Sequence, residues 1–185
     1  MSKTDLTIEG IFKSLDDWRE ERGLQHTVGN IAANIGEEIV EYLRAENDEQ
    51  RIDALCDMFV FSANGLSATN RIEYDRFIID CDAKLHTSII RRDWLFDIAS
   101  VFSNLLVSKH IEFNLISILK YSAYQVRLYD YDFLIAMDET LKEIHSRTGA
   151  MNEATGKWEK FKTEEAMALW YKADYSKAKI NEAVS

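Results

Sequence analysis

Apolar side chains recur three and four positions apart along most of this chain, the spacing of helices that each bury one face. The pattern predicts a first helix from about Leu6 to Arg22, with Ile8, Ile11, Phe12, Leu15 and Trp18 inward and Gly23 ending it. A second runs from about Val28 to Glu46 on Ile31, Ile35, Ile39 and Tyr42. Asn47-Asp48 makes a turn and caps a third helix, which carries Ile52, Leu55, Phe59 and Ala63 inward to about Ser67. Two or three more helices fill Asn70 to Lys120, one marked by Ile72, Phe77 and Ile78 and one spanning Trp94 to Val107. Another passes Leu119 and Tyr124 to end near Tyr129-Asp130. The next covers Phe133 to His145 and stops at Thr148-Gly149. A polar tail follows, with a short amphipathic helix through Ala166, Leu169, Trp170 and Tyr171.

Composition agrees with an all-α fold. The 185 residues include no proline, and no glycine stands between Gly65 and Gly149, so the two main helix breakers are missing from a long stretch. No repeat or low-complexity linker divides the chain, and its length suits one domain. The expected organisation is a helical domain over 1–150, with additional helices at about 70–120, and a less ordered arm over 151–185. A net charge of −10 argues against non-specific nucleic-acid binding. Cys56 and Cys81 have no CxxC spacing and read as buried thiols of a reducing compartment. The first residues lack the apolar stretch of a signal peptide, and no apolar run approaches the ~20 residues that span a bilayer. The expectation is a cytoplasmic protein that does not enter membranes.

The chemistry concentrates around the Asn47-Asp48 turn. Before it stand Glu37, Glu38 and Glu41; after it stand Asp53 and Asp57. Helical spacing puts Glu38 beside Glu41 and Asp53 beside Asp57, and Glu38 and Asp57 lie at matched distance from the turn. If the segment folds back on itself, these side chains meet at one level. Buried like charges of that density cost several kcal/mol per ion unless a cation joins them. Magnesium suits all-oxygen donors and leaves room for substrate phosphate, with manganese as the alternative ion. Asn34 and Asn64 extend the two polar stripes. The competing interpretation is a solvated acidic helix face.

The stretch GEEIVEYLRAENDEQRIDALCDMFVFSANG resembles the all-α nucleoside triphosphate pyrophosphohydrolases: MazG-like enzymes, phosphoribosyl-ATP pyrophosphohydrolase and the dimeric dUTPases. Their signature is EExxE on one helix and ExxD on the next. Glu37, Glu38 and Glu41 match the first half and Asp57 the final Asp, while WREERGL resembles the opening segment of MazG-like domains. Ala54 stands where the family usually has Glu. Asp53 is the nearest substitute, and the DALCD form resembles viral members of the family, which makes a phage protein the expectation. Around MDETLKEIHSRTG the resemblance returns more weakly. It implies an antiparallel bundle of the MazG-like type and cleavage of a nucleoside triphosphate between the α and β phosphates. Glu38, Glu41 and Asp57 would bind magnesium with Asp53 assisting, and Glu37 would be a ligand or the base that orients water. A homodimer or higher homo-oligomer is implied, with the 70–120 segment completing the bundle or building the dimer interface.

Several residues admit two readings. Lys142, His145 and Arg147 form a phosphate clamp or simply favourable charge at a helix end. Trp18 stacks on a base or belongs to the core. Lys157, Lys160, Lys162 and Trp158 close over a triphosphate or form a solvated tail. His26, His86 and His110 lack zinc-ligand spacing, Asp80-x-Asp82 is too short for a calcium loop, and GxxxxGK[ST] and GxSxG motifs are missing. The rival to an enzyme is a non-catalytic helical protein that senses nucleotides or binds a partner.

Overall fold

The computed structural model describes residues 5–24, 27–66, 94–107, 110–154 and 157–180. Its described residues form seven α-helices and one small antiparallel sheet. The helix expected around Ile72, Phe77 and Ile78 lies outside these residues, as do His26, Cys81, His86 and Asp80-x-Asp82.

The sequence pattern is realised closely in the first half. Helix α1 spans Ile8–Glu21, where the Thr7 hydroxyl accepts the Gly10 N–H. It ends at Gly23, whose φ of +58° suits a residue without Cβ. Helix α2 spans Val28–Arg44 and α3 spans Asp48–Asn64. The turn between them is fastened from both sides. The Asn47 side chain accepts the Gln50 N–H at 2.9 Å, and the Gln50 side chain accepts the Glu46 N–H at 2.7 Å. This resembles a capping box, displaced by one residue on the return bond.

Helix α4, Trp94–Leu106, packs on α2 and on α5, Ile111–Leu128; α5 in turn lies along α3. Helices from the second half of the 70–120 segment thus pack against α2 and α3. Helix α6, Phe133–Ser146, starts on an Asp132 cap and packs against α1 and α3. The resulting core centres on Phe59 of α3, 1% exposed, whose ring meets Phe12 of α1 at 6.1 Å and Phe133 of α6 at 4.9 Å. Among the described residues no helix is long and apolar enough to cross a membrane.

The chain after α6 departs from expectation. Strands β1, Gly149–Asn152, and β2, Lys157–Lys160, pair antiparallel with Gly149 opposite Lys160. A Cβ on Gly149 would stand 2.4 Å from the Glu159 carbonyl and from the Trp158 ring, so this glycine permits close strand approach. The expected amphipathic helix is short. Helix α7 covers Glu164–Ala168, leaves Leu169 80% exposed and does not include Tyr171. Tyr171 instead begins an extended strap that lies on α6. The strap ends in a 3-10 turn, Tyr175–Ala178, packed on α6 and α3, and in a β-bridge from Lys179 to Tyr131.

Truncation of Phe59 should remove the contact shared by α1, α3 and α6. Phe59→Ala is expected to lower unfolding free energy by about 3–5 kcal/mol in a urea titration, with helix content retained in water.

Candidate functional site

Folding α2 onto α3 carries the acidic side chains of both helices to one place. Glu38 is the innermost, 8% exposed, with Glu37 and Glu41 on the exposed rim and Asp53 and Asp57 half-buried. Burial raises the Glu38 pKa from 4.5 to about 8, helped by the charges of Asp57, Glu41, Asp53 and Glu37. Asp57 is raised from 3.8 to about 7, first by burial and then by Asp53. Arg147 and Lys160 oppose that rise, while Glu143 adds to it.

A second buried carboxylate in the same bundle shows the structural alternative. Glu139 of α6, 1% exposed, accepts hydrogen bonds from Lys142 at 2.9 Å, Lys177 at 3.0 Å, the Asp174 N–H at 3.1 Å and the Tyr171 hydroxyl. Burial alone would raise its pKa, but these donors lower it to about 2. Among the described residues no donor engages Glu38 in this way. One carboxylate is a satisfied anchor; the other is held in a field that disfavours its charge.

Helix α6 and the hairpin supply the opposing charge. Arg147 follows the last turn of α6 and pairs with Glu143 at 2.7 Å. Burial works against its cation, but Glu143, Asp57 and Asp53 more than compensate and raise its pKa. The strand register sets Lys160 across from Gly149, two residues beyond Arg147. The Lys160 side chain reaches solvent, yet partial desolvation and then Arg147 lower its pKa, against the pull of Asp57. Trp158, on the same strand face, fixes the hairpin by meeting Trp18 edge-on at 5.9 Å, with Arg22 4.8 Å from the Trp18 ring centre and 5.4 Å from that of Trp158.

From the other direction the strap brings in Tyr175. Its hydroxyl donates to Asp53 Oδ1 at 2.7 Å and lies 3.1 Å from Thr140 Oγ1. Burial raises the Asp53 pKa, and this hydrogen bond pulls it back. Glu143 and Tyr175 are site neighbours that the helical periodicity did not single out. The i, i+4 spacing of Glu143 and Arg147 was a usable signal; the placement of Tyr175 depends on how the strap turns back.

The other expected site residues disperse. Trp18 donates its indole N–H to the Ile144 carbonyl at 3.2 Å, which together with Trp158 gives it a structural role. Lys142 pairs with Asp138 at 2.7 Å and with Glu139, in the anchor network instead of beside Asp57. His145 meets Ser14 at 2.9 Å. Asn34 is half-buried one turn before Glu38. Asn64 is 7% exposed; its carbonyl accepts from Arg19 at 2.9 Å, and among the described residues its Oδ1 has no hydrogen-bond partner.

The carboxylate group suits a hard divalent cation in donor type, charge and burial. All its donors are oxygens, and its ionised form is the one that burial makes costly. The geometry does not complete that match: among the described residues no group of three or more His, Cys, Asp or Glu side chains is arranged to hold a metal ion. Compared with models of protein families, with curated proteins and with solved structures, the chain finds no match.

The raised pKa values fix the sign of the pH dependence. Between about 4 and 8 the folded chain binds more protons at Glu38 and Asp57 than the unfolded chain does, so stability falls as pH rises through that window. Thermal melts in chelator should show a lower midpoint at pH 8 than at pH 5.5. Glu38→Gln should flatten the slope, and millimolar magnesium should raise the midpoint at pH 8 more than at pH 5.5.

Proposed function

We propose that this chain is a magnesium-dependent nucleoside triphosphate pyrophosphohydrolase, an antiparallel bundle of the MazG-like type that releases a nucleoside monophosphate and pyrophosphate. The observation that carries the reading is the group of buried Glu38 and half-buried Asp57, their pKa values raised to about 8 and about 7, with Arg147 and Lys160 at its edge. A carboxylate core bordered by cations suits a metal-bridged phosphate chain better than it suits a neutral ligand.

In this reading Glu38, Glu41 and Asp57 would hold magnesium, with Asp53 assisting. The chemistry such a cation would supply is neutralisation of phosphoryl charge and activation of water. Arg147 and Lys160 pair with phosphate oxygens, which orients the substrate and stabilises charge that builds up as the anhydride breaks. Glu37, on the exposed rim beside Glu38, would accept a proton from water or serve as a further ligand. The exposed Leu106, Val107 and Phe113 support a homodimer, and the activity belongs to the cytoplasmic nucleotide pool, that of a host cell if the chain is a phage protein.

One observation favours the non-catalytic alternative. Ala54, at the position where the resembled enzymes carry a ligand, is 2% exposed in the core and offers no donor. A nucleotide sensor would keep the fold and bind triphosphate without cleaving it.

Pyrophosphate release from a panel of ribo- and deoxyribonucleoside triphosphates, with magnesium and with chelator, separates the two. The enzyme reading expects magnesium-dependent release that drops on the order of 10²-fold or more in Glu38→Gln and in Asp57→Asn. Arg147→Ala should raise KM more than it lowers kcat. Triphosphate-dependent stabilisation with no release from any substrate would favour the sensor.

A further inference from the structure

Arg147 and Lys160, the two cations at the edge of the carboxylate group, are held by different means. Arg147 has its Glu143 partner at 2.7 Å, whereas among the described residues no salt bridge holds Lys160. Its direction comes from the hairpin, and a hairpin of two four-residue strands is marginal by itself. At the base, the Phe161 N–H donates to the Thr148 carbonyl at 2.9 Å, which closes the hairpin without setting how it leans on the bundle. Trp158 supplies that contact. Its ring meets Trp18 of α1 edge-on at 5.9 Å, and the Arg22 guanidinium stands 4.8 Å from the Trp18 ring centre and 5.4 Å from that of Trp158. Trp18 is itself fixed, since its indole N–H donates to the Ile144 carbonyl on α6 at 3.2 Å. Trp158 and Lys160 are two apart on β2 and share a face. The Trp158 ring also covers Gly149, the residue paired with Lys160, where a Cβ would stand 2.4 Å from it. The clamped ring and the cation are thus immediate neighbours on one face of the hairpin.

We propose that Trp158 is a positioning residue for Lys160: clamped by Trp18 and Arg22, it leans the hairpin onto α1 so that Lys160 stands beside Arg147, as one of two cations that take a phosphate chain. The inference rests on the phosphate role given to Lys160 and Arg147 above, and it needs no bound metal. Two neighbouring cations repel each other, and a lysine on a flexible four-carbon stem relieves that repulsion by swinging away. A strand pinned by its aromatic neighbour removes this escape, so the pair keeps its field for an arriving anion.

The test uses the full chain and inorganic pyrophosphate alone as probe, followed by isothermal titration calorimetry in chelator at pH 6, where Glu38 and Asp57 hold their protons. Lys160→Ala should weaken binding on the order of 10-fold, the loss of one charge-assisted hydrogen bond. Trp158→Leu, which keeps an apolar side chain without the ring, should lose about as much with an unchanged circular dichroism spectrum. The double variant should lose little more than either single one, because both remove the same contact. Trp158→Phe, which retains a ring against Trp18, should bind within about twofold of the parent. Arg22→Gln supplies a variant on another element, in case Trp158→Leu does not fold, and should weaken binding about 2–5-fold. A Trp158→Leu or Arg22→Gln protein that binds as tightly as the parent, or single losses that multiply in the double variant, removes this inference alone. A parent chain that does not bind pyrophosphate, or a Lys160→Ala protein that binds it as tightly as the parent, removes both this inference and the phosphate role it rests on.

Discussion

The repulsion among carboxylates gathered between α2 and α3 is the constraint on which the rest of the structure turns. The two helices must pair, because Ile35 and Tyr42 on one and Ile52, Leu55 and Phe59 on the other bury the central core. Pairing them brings Glu38 to the vicinity of Asp57, Asp53 and Glu41 whether or not their charges are answered. Apolar burial and anionic crowding therefore rise together as the hairpin closes. The protein meets part of the conflict with Arg147, Lys160 and the Tyr175 hydroxyl, each delivered by an element late in the chain. What remains appears as carboxyl groups that hold their protons well above the usual range.

Glu139 shows what this sequence does when a buried carboxylate serves only architecture. Four donors converge on it, its charge is favoured, and it ties the strap to α6. Glu38 is 8% exposed, and among the described residues no such donors reach it. The contrast separates an anchor from a site within a single bundle, under the same composition and net charge. It also links the two, since the strap that Glu139 anchors is the one that delivers Tyr175 to Asp53.

The α2–α3 hairpin was legible because its signals are local. Period 3.6 sets the faces, Asn47 marks the cap, and matched distances from one turn predict which acids meet. The same logic brought Arg147 to notice through its place at a helix end. It erred on Lys142, one turn earlier on that helix, because a charge pattern does not say whether Glu139 or Asp57 will be the nearer partner. Trp18 was ambiguous for a related reason: its stripe position was readable, whereas the Ile144 carbonyl and the Trp158 ring that hold it come from residues 126 and 140 positions away. The β-hairpin escaped detection, since strands of four residues give little periodicity to read. Tyr175 was beyond reach, because its role depends on the fold of the whole strap.

The central claim is that Glu38 is a carboxyl group kept protonated by burial and by its acidic neighbours, and released from that state by a divalent cation. The most direct measurement is a carbon-13 titration of the Glu38 side-chain carboxyl, in chelator and again in saturating magnesium. The account predicts a midpoint near 8 in chelator and a midpoint lower by more than one pH unit with magnesium. A midpoint near the ordinary 4.5 in chelator, indifferent to magnesium, would contradict it and return the acidic hairpin to the status of a solvated helix surface.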